Sequence, residues 1–188
     1  MMEKLDNAAV LLIIDVQTGL DDPAYGRRNN PGAEQNIGRL LAAWRARKQP
    51  IIHVQHLSQR PRSPLYPGKP GVALKDMVKP QGEEQLLQKR VNNAFVGTDL
   101  EAQLRAQGHN TLVIVGLTTP HCVSTTARMA GDLGFDTYVV ADATAAHELT
   151  DHRGQHYSAE QVHNSALAAL NGEFAKVVET DNVLQALA

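Results

Sequence analysis

The stretch AVLLIIDV, Ala9–Val16, has the composition of a strand that is buried on both faces. It is apolar throughout except for Asp15 near its end, and central strands of parallel sheets are typically such continuous apolar runs. The run is too short to cross a bilayer. Asp15 and Gln17 stand where the cleavage site of a signal peptide would need small residues, so we interpret the run as a strand and not as a leader.

Strand-like and helix-like segments alternate along the rest of the chain. The stretch NIGRLLAAWRARKQ, residues 36–49, has apolar residues at helical spacing, and Ser158 is typical of a helix cap. Further strands are predicted at 50–57, 85–91, 110–117, 135–142 and 174–180, and further helices at 98–108, 122–133, 158–172 and 181–188. This order predicts an α/β fold, a Rossmann-like three-layer α/β/α arrangement around a six-stranded parallel sheet.

Composition narrows the class of protein. The 188 residues fit one domain, which we place at 1–188, and 18 basic against 20 acidic side chains give a net charge of −2. The chain has no run of like charges, so neither nucleic acid nor a membrane surface is expected as its partner. We expect a small-molecule substrate instead. The single cysteine cannot form an internal disulfide, which favours a reducing, cytoplasmic setting.

Two polar segments interrupt the alternation of strands and helices. The first, 58–83, is rich in proline and glycine and long for a connection, which is typical of a lid or a disordered segment. The second, 144–157, is polar and contains three histidines. Both would leave from the carboxyl ends of strands, where open parallel sheets bind ligands. We therefore expect both segments to border the functional site.

Three residues at predicted strand ends could carry chemistry. Asp15 is either a turn residue or a site carboxylate, and Lys89 is either an exposed charge or a site cation. Cys122 is either a small buried hydrophobe or a nucleophile. Because it would lie in the first turn of a helix, the helix dipole and a nearby lysine would favour its thiolate. The spacing alone does not show that the three residues meet.

Three longer stretches resemble the signature blocks of the isochorismatase-like cysteine hydrolases, which include nicotinamidases and N-carbamoylsarcosine amidohydrolases. The stretches are VLLIIDVQTGL (10–20), LLQKRVNNAFVGTDLEAQLRAQG (86–108) and LVIVGLTTPHCVSTTARMAGDLGFDTYVVADAT (112–144). The resemblance implies a catalytic triad of Asp15, Lys89 and Cys122. It also implies a cis peptide at Leu117–Thr118 and an oxyanion hole formed by the amides of Thr118 and Cys122. Family members assemble as dimers or tetramers, so a homo-oligomer is expected.

The resemblance also bears on cofactors and on the reaction. The nicotinamidase branch has an Asp-x-His metal motif, and His56 and Ser58 stand at the matching positions here. His53 and His56 would point to opposite faces of a strand and make a poor chelate. We therefore expect neither a metal nor another cofactor. Isochorismatases of the phenazine pathway hydrolyse a vinyl ether without the cysteine, so Cys122 favours cleavage of an amide or ureide.

Further residues are assigned roles from their positions alone. Gln17, Phe95 and His121 are predicted to contact the substrate, although each could equally serve packing or a helix cap. Asp142 is interpreted as a structural cap. Two other functions stay open at this point: vinyl-ether hydrolysis led by Asp15, and a non-catalytic protein that binds a small molecule or undergoes thiol redox chemistry.

Overall fold

The computed structural model describes residues 4–187 and contains six parallel strands in one sheet, in the order β3-β2-β1-β4-β5-β8. In chain order the elements are β1 (Val10–Ile14), α1 (Ala33–Arg47), β2 (Ile51–His56), β3 (Gln85–Lys89), α2 (Leu100–Ala106), β4 (Thr111–Leu117), α3 (Ser124–Asp132), β5 (Asp136–Ala145), β6 (Leu149–Thr150), β7 (His156–Tyr157), α4 (Ala159–Leu170), β8 (Lys176–Val178) and α5 (Thr180–Ala186). The predicted six-stranded parallel sheet between helices is confirmed. The last residue of the predicted terminal helix, 188, lies outside the described range.

The strand β1 explains why the fold has three layers. Alternate side chains of a strand point to opposite faces of the sheet. Leu11 and Ile13 pack in an apolar cluster with α1 and α5, and Leu12 and Ile14 pack in a second cluster with α2, α3 and α4. All five residues of β1 are buried. Helices are therefore needed on both faces, as the continuous apolar run predicted.

The order of strands reverses between β1 and β4. From β1 the chain builds outward through β2 to β3, and it then returns to the other side of β1 to place β4, β5 and β8. Open α/β sheets bind ligands in the crevice at such a switch point, outside the carboxyl ends of the strands. Asp15 directly follows β1, and Cys122 follows β4 by five residues. The topology thus brings two predicted site residues to the crevice.

A glycine allows the two central strands to approach at this point. Gly116 of β4 pairs with Ile14 of β1 and has a φ of +116°, a conformation that other residues rarely adopt. A Cβ atom at this position would lie 2.0 Å from the Ile14 carbonyl oxygen. The backbone next to Asp15 therefore requires glycine on the neighbouring strand.

The segment 58–83, which we call the lid segment, has an ordered backbone with two 3-10 turns, Pro70–Val72 and Asp76–Val78. Its second half is attached to the body of the protein. The Lys75 ammonium binds Glu34 of α1 at 2.6 Å and Asp21 at 2.7 Å. Burial opposes ionisation of Glu34, but hydrogen bonds from Arg28 and Lys75 outweigh it and lower its pKa to about 2. Ionised Glu34 therefore ties the lid segment to α1.

The second irregular segment, 144–157, differs from the predicted loop. Its first two residues continue β5, and β6 and β7 pair as a short antiparallel hairpin.

Within the described part of the chain, no helix is both long enough and apolar enough for a bilayer crossing.

Candidate active site

Three separate segments bring Asp15, Lys89 and Cys122 together at the carboxyl edge of the sheet. The Lys89 ammonium lies 2.6 Å from Oδ2 of Asp15, and the side chains are 0% and 1% exposed. A carboxylate oxygen of Asp15, the Cys122 sulfur and a ring nitrogen of His56 lie within 4.8 Å of one another. The opposite charges of Lys89 and Asp15 balance each other, and the Cys122 thiol lies beside this buried pair. Such an arrangement is suited to moving the thiol proton.

Lys89 reaches this point by extending its side chain across β2. It is the last residue of β3, two strands away from β1, and its register partner on β2 is His56. The ammonium contacts Nδ1 of His56 at 3.2 Å and the Val91 carbonyl oxygen at 3.2 Å, besides Asp15. Its three protons therefore have three acceptors, which compensates for its burial.

His56 also belongs to this cluster, although the sequence did not predict it as a site residue. Burial lowers the pKa of its ring, and the charge of Lys89 lowers it further. A neutral ring that accepts a hydrogen bond at Nδ1 has its proton on Nε2. The only signal in the sequence was its match to the first position of the metal motif.

The donor atoms in this cluster could in principle hold a metal ion. Asp15, His56 and Cys122 offer an oxygen, a nitrogen and a sulfur. However, the Lys89 ammonium already binds the carboxylate and the imidazole. A divalent ion on the same atoms would lie beside a buried positive charge, so the donor set fits the lysine better than a metal.

The surroundings of Cys122 oppose the thiolate that its sequence position favoured. The residue lies in a π-helical turn, Thr119–Val123, and the α-helix begins only at Ser124. Burial raises the pKa of the Cys122 thiol well above its usual range, and the Asp15 charge raises it further. The charge of Lys89 opposes this rise but does not cancel it. Burial therefore favours the protonated thiol in the free protein.

Asp15 is placed as the acceptor for that proton. Burial raises the pKa of its carboxyl above the usual 3.8, and Lys89 opposes the rise. Oδ2 is occupied by Lys89, whereas Oδ1 is buried and has no N–H or O–H donor among residues 4–187. A carboxylate with a raised pKa and one unoccupied oxygen is a stronger base than an exposed aspartate.

The turn between β4 and Cys122 has an unusual backbone. The peptide bond between Leu117 and Thr118 is cis, at the position that the resemblance implies. The Thr118 carbonyl oxygen accepts hydrogen bonds from the amides of His121, at 3.1 Å, and Val123, at 3.3 Å. The turn is thus held by the two residues that flank Cys122.

A cleft of about 1180 Å³ opens above these residues. Both irregular segments border it, as predicted: the lid segment contributes residues between 58 and 65, and the other segment contributes His147 and Leu149. Asp15, His56 and Cys122 lie at its wall. The volume is sufficient for a small molecule of ordinary size.

The structure separates the three predicted substrate contacts. Gln17 is fully buried and does not line the cleft: its Nε2 donates to the carbonyls of His56 and Val72, and its Oε1 accepts from the His56 amide. Gln17 is thus placed as a structural link and not at the predicted substrate position. Phe95 also differs from its prediction, because it stacks on Phe135 within the apolar cluster.

His121 does line the cleft, with Nδ1 3.0 Å from the Thr118 hydroxyl. His147, for which the sequence predicted no role, is 8% exposed, packs against the Tyr25 ring at a tilt of 34° and lines the cleft. Nothing in its sequence context distinguished it from the exposed histidines of the same segment. Asp142 is a structural cap as predicted, since its carboxylate accepts from the amide and the hydroxyl of Thr180.

Comparison with known proteins agrees with this architecture. The Isochorismatase domain matches residues 9–182. The uncharacterised isochorismatase family protein YrdC of Bacillus subtilis is 46% identical over 180 residues, which are 96% of each chain. A crystal structure of an isochorismatase-family protein from Chromobacterium violaceum superposes with a TM-score of 0.95, at 44% identity over 100% of this chain and 98% of that one.

A more distant relative has a named reaction. The maleamate amidohydrolase of Pseudomonas putida is 28% identical over 194 residues, which cover 94% of this chain and 85% of that protein. Relatives of this chain therefore include amidohydrolases. The match over nearly the whole sequence, together with the shared sheet and helices, shows that the chain is a hydrolase-fold protein that belongs to the isochorismatase family.

Proposed function

We propose that this protein is a cysteine-dependent hydrolase that cleaves a C–N amide or carbamoyl bond of a small molecule through a thioester intermediate. The observation that carries the proposal is the buried Asp15–Lys89 pair, with a carboxylate oxygen of Asp15 within 4.8 Å of the Cys122 sulfur, at the wall of a cleft. A buried ion pair has no evident structural need at this edge, because an apolar pair would pack there at least as stably. The amidohydrolase among the relatives supports the same reaction class.

The first half of the reaction follows from the protonation states. Because burial keeps the thiol protonated, the proton moves to Oδ1 of Asp15 as the sulfur attacks the carbonyl carbon. A new C–S bond forms, and the carbonyl electron pair moves onto oxygen. Lys89 offsets the negative charge that passes between sulfur and carboxylate.

The negative oxygen needs donors, and the amides of Thr118 and Cys122 are assigned to it. The two hydrogen bonds that the Thr118 carbonyl accepts hold the turn that contains both amides. Loss of one donor of this kind commonly reduces turnover by about 100-fold to 1000-fold. Without such donors the neutral thiol would be a poor nucleophile for an amide.

In the second half Asp15 returns its proton to the departing nitrogen, the C–N bond breaks and ammonia or an amine leaves. The ionised carboxylate then accepts a proton from water, whose oxygen attacks the thioester. The C–S bond breaks, and the sulfur recovers the proton from Asp15. The products are a carboxylate, or a carbamate from a ureide, and the free enzyme.

Release of ammonia from a panel of small amides and ureides tests the proposal, with Cys122→Ala as the inactive variant. Since Cys122 is the single cysteine, methanethiosulfonate blocks only this thiol, and dithiothreitol should restore activity. Asp132→Ala, an exposed position at the far end of α3 and outside the cleft, is the control and should stay active. Full activity of Cys122→Ala on isochorismate would instead support ether hydrolysis led by Asp15.

Thiol redox function is less well supported by the site. Cysteines that sense oxidants have low pKa values and accessible sulfurs. Burial gives Cys122 a raised pKa, and no second cysteine exists to form a disulfide. A sulfur that reacts readily with peroxide while no amide is hydrolysed would contradict this ranking.

A further inference from the structure

Three arginines of the cleft lack the carboxylate partners that most arginines in this protein have. Six other arginines form ion pairs on the surface or at the edge of the core, at positions 27, 28, 39, 45, 105 and 153. Arg60, Arg62 and Arg90 line the cleft, and none of them has a carboxylate within ion-pair distance among residues 4–187. Their guanidinium groups are exposed and available to a ligand.

Other cationic side chains near the cleft are already occupied. Lys69 of the lid segment binds the carbonyl oxygens of Pro61 and Ser63, and Lys75 binds two carboxylates. The Lys89 ammonium already donates to three acceptors within the protein. The three arginines are therefore the cations that remain available at the cleft.

The backbone that presents Arg60 and Arg62 is fixed by its own hydrogen bonds. The Ser58 amide binds the Leu65 carbonyl at 2.9 Å, which closes the turn at its base. The Ser63 amide binds the Arg60 carbonyl at 2.9 Å, and Lys69 holds the other side of the turn. Such local bonding reduces the entropy that is lost when the side chains bind a ligand.

The third arginine belongs to the same surface. Arg90 directly follows Lys89, and its carbonyl oxygen accepts a hydrogen bond from the Gln59 side chain at 3.2 Å. This contact joins the turn with Arg60 and Arg62 to the strand end with Lys89. The arginines thus lie on one connected rim that continues into the proposed reaction centre.

The cleft is cationic although the whole chain carries a net charge of −2. The acidic residues in its wall are Asp15, which is paired with Lys89, and Asp22, whose carboxylate caps a 3-10 turn at the Ala24 amide. An excess of unpaired guanidinium groups in a concave surface raises the local concentration of anions. Guanidinium also matches the geometry of a carboxylate or a phosphate with paired hydrogen bonds.

We infer that the substrate is an anion: a small amide or ureide with a carboxylate or similar acidic group away from the scissile bond. Arg60, Arg62 and Arg90 bind this group and orient the carbonyl towards Cys122. The inference rests on the proposed hydrolase function and adds the class of substrate. Binding energy from a charged group outside the reacting bond then contributes to positioning the carbonyl.

Matched pairs of amides test the inference. Malonamate, succinamate and glutaramate each carry one carboxylate, and the corresponding diamides are neutral and of equal length. We expect kcat/KM to favour the best anion over its diamide by about tenfold or more, because a hydrogen bond to a charged group is usually worth at least that factor. 3-Phosphonopropanamide replaces succinamate in a further arm, which distinguishes a phosphate-like group from a carboxylate.

The variant for the test is Arg60→Gln/Arg62→Gln/Arg90→Gln, and Arg47→Gln is the control. Arg47 is exposed on α1 and also has no ion pair among the described residues, but it lies outside the cleft. The triple variant should lose the preference for the anion, mainly through KM, whereas the control should keep it. The preference should also shrink between about 50 mM and about 500 mM NaCl, because exposed charges are screened.

Binding to Cys122→Ala separates the inference from the hydrolase proposal. If this variant binds an anion more tightly than its diamide in calorimetry, and the arginine substitutions remove the difference, the inference holds even where no amide is hydrolysed. If the wild-type protein hydrolyses anions and diamides with equal efficiency, the inference is overturned while the hydrolase proposal stands. Equal or absent binding of all pairs also overturns it.

Discussion

Replacing Lys89 by methionine should destabilise the protein by an amount that increases with pH. The substitution keeps an unbranched side chain that is one atom shorter but leaves Asp15, which is 1% exposed, without its cationic partner. Removing one member of a buried ion pair commonly costs about 3–5 kcal/mol, because the remaining charge is uncompensated. The Asp15 carboxyl can avoid part of that penalty by binding a proton.

The direction of the pH dependence follows from proton linkage. Lys89 lowers the pKa of Asp15 through its charge and its hydrogen bond, so its removal raises that pKa further. The folded variant then binds a proton that the unfolded chain, with a carboxyl pKa near 3.8, has already released. Stability is therefore retained in acid and is lost as pH rises towards the raised pKa of the folded state. We expect the smallest destabilisation near about pH 4, close to the carboxyl pKa of the unfolded chain, and a steady increase from there to about pH 8.

Urea unfolding of the wild-type protein and the variant across this pH range measures the effect. Lys79→Met is the control, because Lys79 pairs with Asp76 at 2.7 Å on the surface, with side chains that are 59% and 95% exposed. Such pairs contribute less than about 1 kcal/mol, and we expect no trend with pH. A destabilisation of Lys89→Met that is equal at both ends of the range would refute the role given to the buried carboxyl.

Further predictions concern the ends of the sheet and the lid segment. Glu34→Gln should reduce stability by about 3 kcal/mol at neutral pH, since a pKa near 2 instead of 4.5 stabilises the ionised form, and the difference should vanish as pH falls from about 4.5 to about 2 in urea unfolding. Gly116→Ala should prevent folding or lower the melting temperature severely, because its Cβ would lie 2.0 Å from the Ile14 carbonyl; a circular dichroism melt like that of the wild type would contradict this. In the active protein, kcat/KM should decrease as pH falls through the pKa of Asp15, which is raised above 3.8, because the carboxylate must be ionised to accept the thiol proton.

The fold was predictable because its signals are local. Continuous apolar runs, helical spacing and the Ser158 cap depend only on neighbouring residues, and the structure places each element within a few residues of its prediction. The positions of Asp15 and Cys122 at the switch point follow from the order of strands. Side-chain roles that depend on distant packing were not predictable.

Gln17 illustrates that limit. Whether an amide after β1 faces a ligand or the backbone depends on where the lid segment docks, and the structure places the Val72 carbonyl against it. The raised pKa of the Cys122 thiol was not predictable for a similar reason, since it depends on how far distant packing buries the side chain. His56 contacts the ammonium only because Lys89 extends across β2.

The double attachment of Gln17 has a consequence for how this scaffold can acquire new substrates. Val72 receives hydrogen bonds from both Gln17 and Gln55, and the Lys75 amide bonds to the Val16 carbonyl. Residues 72–75 are thus attached to the sheet by several hydrogen bonds, and an opening motion there would have to break these hydrogen bonds together. The outer turn, 59–64, is instead largely exposed. Directed evolution of specificity can therefore concentrate its libraries on that turn and leave the buried Asp15–Lys89 pair untouched.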